Sequence, residues 1–182
     1  MEHSIRQISR TVTNQTRIDT FLSKAKTGHL GLTDKEIPYV IPLNFIWWND
    51  AIYYHGAAEG RKVEIIKKNT NACFTVSADY GTLVDPVPAH TDTAYMSVLL
   101  FGTVEIVQSI EEATAALQQL LHKYVPGYYQ SPLAQSHVEK YTSSLDSKTM
   151  VFKIMPTRIT AKENKLIESL TFFAGRTVQD DL

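Results

Sequence analysis

Gly60-Arg61-Lys62 places two cations where they have no obvious partner. The tripeptide opens a stretch in which Val63 and Ile66 recur at helical spacing as far as about Lys68. Positive side chains at a helix N-terminus oppose the macrodipole and cost stability on their own. First-turn N–H groups, a glycine without a Cβ, the fork of Arg61 and the point charge of Lys62 together describe a phosphate site. A solvated basic turn is the plainer reading of the same three residues. His55-Gly56 stands just before this turn, so a ligand held by its phosphate at Arg61 and Lys62 could reach Asn44 and His55 with its other end. An isolated histidine on a sheet is ordinarily a hydrogen-bonded structural imidazole, and its position beside the basic turn is what sets His55 apart.

Other chemistries lack their signatures. The six histidines, at 3, 29, 55, 90, 122 and 137, show no close ligand spacing, so no metal is expected. There is no Gly-x-Ser-x-Gly, no Gly-x-Gly-x-x-Gly and no P-loop. Cys73 sits between Ala72 and Phe74 and reads as a small core residue. Trp47, Trp48, Tyr53 and Tyr54 read as core or subunit contact rather than as a stacking platform.

The elements that must position these residues follow from periodicity. A helix is expected over Arg17–Lys26, with Ile18, Phe21, Leu22 and Ala25 on one face, then a strand at His29–Thr33 and a turn at Asp34-Lys35-Glu36. Tyr39–Trp48 is a strand whose odd positions face the core. Asn49-Asp50 makes a two-residue hairpin turn into Ala51–His55. Counting back from Trp48 opposite Ala51 pairs Ile46 with Tyr53, Phe45 with Tyr54, and Asn44 with His55. Strands follow at Ala72–Ser77, Tyr95–Val107 and Thr149–Ile159. A loop at Asp79–Thr93 reads as a lid or as an ordinary surface turn. A Ser109/Glu112 capping box starts a helix that ends before Pro126-Gly127, and a weaker helix is expected over Leu133–Leu145. The expected architecture is mainly β with flanking helices: an antiparallel sheet curled into a small barrel.

The 182 residues suit one domain over 1–182, with a polar leader over about 1–15 and a tail over about 160–182. A net charge of −1 offers no global field for nucleic acid. No segment reaches the length of a membrane span and no signal peptide is visible, so a cytoplasmic protein is expected, in keeping with a single cysteine.

Four segments carry a resemblance: Thr27-Gly28-His29-Leu30-Gly31-Leu32, Pro38–Phe45, Tyr53–Lys62 and Tyr95–Gly102. Across about residues 17–107 the chain resembles the pyridoxamine 5′-phosphate oxidase-like FMN-binding split barrels, and within them the nitroimidazole-resistance type. The resemblance implies a six-stranded antiparallel split β-barrel that forms a homodimer with FMN between the subunits. It implies that Gly60, Arg61 and Lys62 hold the FMN phosphate, that Pro42, Leu43 and Asn44 line the isoalloxazine, that Ser97 supports the phosphate or ribityl chain, and that His55 lies by the flavin. Met96 departs from the pattern, where relatives often carry arginine. The activity implied is reduction of a small electrophile such as a nitroaromatic, with His55 orienting the substrate or donating a proton. A non-catalytic split barrel that stores, senses or sequesters its ligand is the alternative, and fold does not choose between them.

Overall fold

The computed structural model describes residues 5–143 and 146–182; residues 1–4 of the leader, and 144 and 145 of the weaker expected helix, lie outside the described residues. The chain builds α1 (Gln15–Lys24), β1 (Thr27–Asp34), β2 (Ile37–Asn44), β3 (Ile46–Trp48), β4 (Ala51–Ala57), α2 (Arg61–Lys68), β5 (Asn71–Leu83), β6 (Asp92–Ile106), α3 (Ile110–Tyr124), α4 (Gln135–Val138) and β7 (Thr149–Asn164). The strands form one antiparallel sheet in the order β2-β1-β5-β6-β7-β4-β3. The mainly β architecture with flanking helices agrees with the expected split barrel, but the described residues form seven strands, and the ladder is not closed.

The extra strand comes from Phe45. The expected single strand Tyr39–Trp48 is divided there: β2 pairs with β1 as far as Thr27 opposite Asn44, and β3 pairs with β4 through Ile46–Tyr53, Trp47–Ile52 and Trp48–Ala51. The hairpin register therefore holds for three pairs and then stops. Asn49 and Asp50, at φ 48° and 56°, make the expected tight turn. Because β2 and β3 are the two edges of the sheet and one residue joins them, the sheet must curl until its edges meet at Phe45. This residue is fully buried, and neither flanking ladder pairs it. Tyr124 fills the gap: its hydroxyl accepts from the Phe45 N–H at 2.8 Å and lies within hydrogen-bond reach of the carbonyls of Phe45 and Lys26.

Apolar side chains form two clusters. One fills the barrel, with Leu30, Phe45, Ile52, Tyr54, Phe74, Leu100 and Phe152, and is plugged by α1 and by Val63, Ile65 and Ile66 of α2. The other lies between the outer face of β3 and β4 and the stripe of α3, where Ile46, Ala51 and Tyr53 meet Ala113, Ala116, Leu117 and Leu120. Strand β4 is consequently buried on both faces from Ala51 to Tyr54.

Several expectations shift. The Ser109 side chain accepts from the Glu112 N–H, but the Glu112 carboxylate turns away to Tyr53 (2.7 Å) and Lys153 (3.1 Å), so only half of the capping box forms. Cys73 lies on the outer face of β5 and is half-buried, because Ala72, Phe74 and Val76 take the inward positions. The expected loop at Asp79–Thr93 shrinks: β5 continues to Leu83 through a register shift at Asp79/Gly81, and β6 begins at Asp92. The remaining turn is tied to the C-terminal segment, since the Val84 N–H donates to Leu170 and the Phe172 N–H donates to Thr82. At the Phe101/Gly102 shift of β6, a Cβ on Gly102 would lie 1.9 Å from the Met155 carbonyl oxygen, which accounts for the glycine. Among the described residues no helix is long and apolar enough to cross a membrane.

Replacing Tyr124 by phenylalanine leaves the Phe45 N–H buried without its acceptor. The expected loss is about 1–3 kcal/mol of unfolding free energy in urea titrations. An unchanged midpoint would remove Tyr124 as the closure of the split.

Candidate functional site

Helix α2 starts where its sequence indicates. Gly60 adopts φ 98° with nothing within 4 Å of a notional Cβ, so the space before the first turn is open. The Gly60 carbonyl accepts from Val63 and Glu64, and no side chain caps the helix. The N–H groups of Arg61 and Lys62 therefore have no partner within the helix.

The two cations differ. Arg61 is half exposed and turned toward the β1–β2 hairpin, with its guanidinium 4.8 Å from the Tyr39 ring and 3.6 Å from the Asp34 carboxylate. Lys62 makes none of the ion pairs found among the described residues. Its ammonium lies 4.7 Å from the Phe152 ring and 5.2 Å from the Tyr54 ring, two rings stacked 5.0 Å apart. It occupies the space a side chain at Gly56 would need, 2.3 Å from a notional Cβ. Burial pushes its pKa below the usual lysine value. Among the described residues the Tyr54 hydroxyl, buried in the core, has no hydrogen-bond partner.

His55 is on the opposite face of β4 from Gly56, paired across to Val151. Its imidazole is set into a cleft between α3 and the segment preceding β7, with one side open to solvent. Burial, and then the charge of Lys62, lower its pKa from 6.5, so the ring is neutral at pH 7.

The remaining candidates are spread around the sheet. Pro42 and Asn44 are exposed on the outer face of β2, whereas Leu43 points inward to the core. Asn44 lies opposite Thr27 of β1 and not opposite His55, because the strand leaves β4 at Phe45. Ser97 lies between Ser77 and Lys162, on β6, three strands from β2. That is about 14 Å around the sheet at ordinary strand spacing. Within one chain, then, Gly60, Arg61 and Lys62 are adjacent, His55 is one strand thickness away, and Ser97 is separate. Met96 is buried inside the barrel, on the face opposite Ser97, so it takes no cation away from the outer face.

A larger cleft, about 800 Å³, escapes sequence reading. It lies between α1 and β5, with Arg17, Lys24, Lys26, Ser77 and Tyr80 on its walls and the core residues Phe21 and Met96 beneath. Two of these cations, Arg17 and Lys26, have partners. Arg17 pairs with Glu163, and the Lys26 ammonium donates to the last-turn carbonyl of Lys123. Lys123 in turn donates to the Leu22 carbonyl at the end of α1. Burial, and then the charge of Lys26, bring the Lys123 pKa to about 8. The lysines at 24 and 26 in the sequence were the available signal for this arrangement.

The sequence matches the pyridoxamine 5′-phosphate oxidase family over residues 14–163. The chain belongs to that family. No curated protein matches it in sequence. Among solved structures, flavocytochrome Anf3 of Azotobacter vinelandii is similar in fold, with a TM-score of 0.75 and 20% identity over 90% of this chain and 73% of that one. An FAD- and haem-binding protein of Mycobacterium smegmatis gives 0.71 and 18% over 91% and 77%. A candidate 5-nitroimidazole antibiotic resistance protein of Bacteroides thetaiotaomicron gives 0.67 and 27% over 84% and 85%. The matched region of this family member includes every candidate residue above.

The Lys62–His55 coupling is measurable. In a pH titration followed by NMR, the His55 ring is expected to titrate with a midpoint below 6.5, and Lys62→Met is expected to raise it by removing a neighbouring positive charge. Because the folded pKa is depressed, the His55 contribution to stability is complete above the unfolded pKa near 6.5 and is lost as pH falls below it. A midpoint at or above 6.5 contradicts the arrangement.

Proposed function

We propose that this family member is a cytoplasmic, homodimeric FMN-dependent oxidoreductase that reduces a small electrophile such as a nitroaromatic. The observation that carries the reading is Lys62: a half-buried ammonium without a carboxylate, behind the open Gly60 turn at a helix N-terminus. A phosphate monoester suits that donor set. It offers a charge to Lys62, acceptors to the first-turn N–H groups, and a stronger partner for Arg61 than the long contact to Asp34.

In this reading Gly60, Arg61 and Lys62 hold the phosphate of FMN. Pro42 and Asn44 present the outer face of β2 to the ring, and Leu43 contributes its backbone alone. When bound and reduced, FMN supplies the hydride or electron pair for the electrophile. His55 orients the substrate by donating one N–H hydrogen bond or gives it a proton. Ser97, three strands from β2, would reach the same cofactor from a second copy of the chain. Exposed Ile37 and Val40 on β2 are apolar surface that such a copy would cover.

Titration of the flavin-free protein with FMN, FAD and riboflavin tests the phosphate site. Lys62→Ala should weaken FMN about 10- to 100-fold, the range for removing a charge-assisted hydrogen bond, and leave riboflavin unchanged. Equal losses for both ligands, or no FMN binding by the wild type, would overturn the assignment. Light scattering should give twice the 20.5 kDa of one chain. Turnover of a nitroaromatic by reduced holoprotein separates the enzyme from a module that only binds flavin.

A further inference from the structure

The apolar series on the outer face of β4 stops at His55, but the wall above it does not. Ala51 and Tyr53 are matched by α3, whereas at the next outward position an imidazole replaces an apolar side chain. Leu117, Leu120 and Leu121 of α3 continue over it, and Leu133 and Tyr141 close the far side. The Leu133 wall is pinned, since its N–H donates to the Gln118 side chain of α3 at 2.8 Å. The result is a cleft of about 420 Å³ whose lining combines these leucines with Thr142, Ser143 and Thr149, with His55 in its floor. This is within the size range of small-molecule sites, and about 150 Å³ is enough to hold benzene.

Among the described residues no Asp, Glu, Lys or Arg lines the cleft. A charged ligand would give up its hydration there without a counter-ion, whereas a neutral ring would gain leucine contacts and one hydrogen bond. The floor strand places Gly56 between the cleft and the Lys62 ammonium, so a ligand here is adjacent to the phosphate site without sharing it.

We infer that this cleft binds a small neutral aromatic or heteroaromatic molecule, one to two rings in size, with His55 as a polar contact in its floor. That the molecule is the electron acceptor rests on the proposed function; that the cleft binds it does not.

The test uses nitrobenzene and 4-nitrobenzoate, which present one ring in neutral and anionic form, added to flavin-free and FMN-loaded protein. The NMR signals of the His55 ring and the Leu121 and Leu133 methyls are followed. Nitrobenzene is expected to shift all three, and 4-nitrobenzoate to bind at least about tenfold more weakly. Leu121→Trp, which fills the cleft, should abolish the nitrobenzene shifts and leave FMN affinity intact. Leu133→Trp serves the same purpose from the opposite wall if the first variant does not fold. Equal binding of the two probes, or nitrobenzene binding that survives a folded tryptophan variant, overturns the inference. Nitrobenzene binding without FMN binding would sink the proposed function and leave the cleft standing; FMN binding without nitrobenzene binding would do the reverse.

Discussion

The structure turns on the backbone of Phe45. At that residue the chain leaves one edge of the sheet for the other, so its N–H and C=O belong to neither ladder, yet the side chain is buried and water cannot serve them. One hydroxyl, from Tyr124 at the end of α3, bridges the gap and also reaches the carbonyl of Lys26, which precedes β1. The barrel can therefore stay open as a ladder without leaving a buried amide unpaired. The same helix covers the outer face of β3 and β4, so the closure of the split and the second apolar cluster depend on one element.

The placement of positive charge follows from helix ends. Lys26 and Lys123 each donate to the C-terminal carbonyls of the other's neighbouring helix, which is where the dipole welcomes a cation. These lysines are accounted for by the fold. Arg61 and Lys62 stand at an N-terminus, where the dipole repels them, and Lys62 is pressed against aromatic faces instead of a carboxylate. The contrast makes α2 the place where, among the described residues, a cation lacks a carboxylate partner.

Family membership and fold are common ground for proteins that differ in what they hold. The similar structures include a flavocytochrome and an FAD- and haem-binding protein. Chemistry must be argued from the site. Here the distinctive features are local: the uncommitted ammonium of Lys62, the neutral imidazole of His55, and a cleft without charges above it.

Much of this was legible in the sequence because it depends on short-range periodicity. Alternation marked β2, the two left-handed residues Asn49 and Asp50 gave the hairpin its register, and the basic tripeptide coincided with the start of α2. The Ser109 cap and the α3 stripe were equally local. What the sequence could not contain was the choice of partner. Alternation in Tyr39–Trp48 is the same whether the strand pairs with β1, with β4 or with both in turn, so the break at Phe45 and the separation of Asn44 from His55 were decided by sheet closure. The diversion of Glu112 to Tyr53 and Lys153, the separation of Ser97 from β2, and the cleft above His55 likewise arise from contacts between segments far apart in the chain. Periodicity fixes which face a residue occupies; only packing fixes what that face meets.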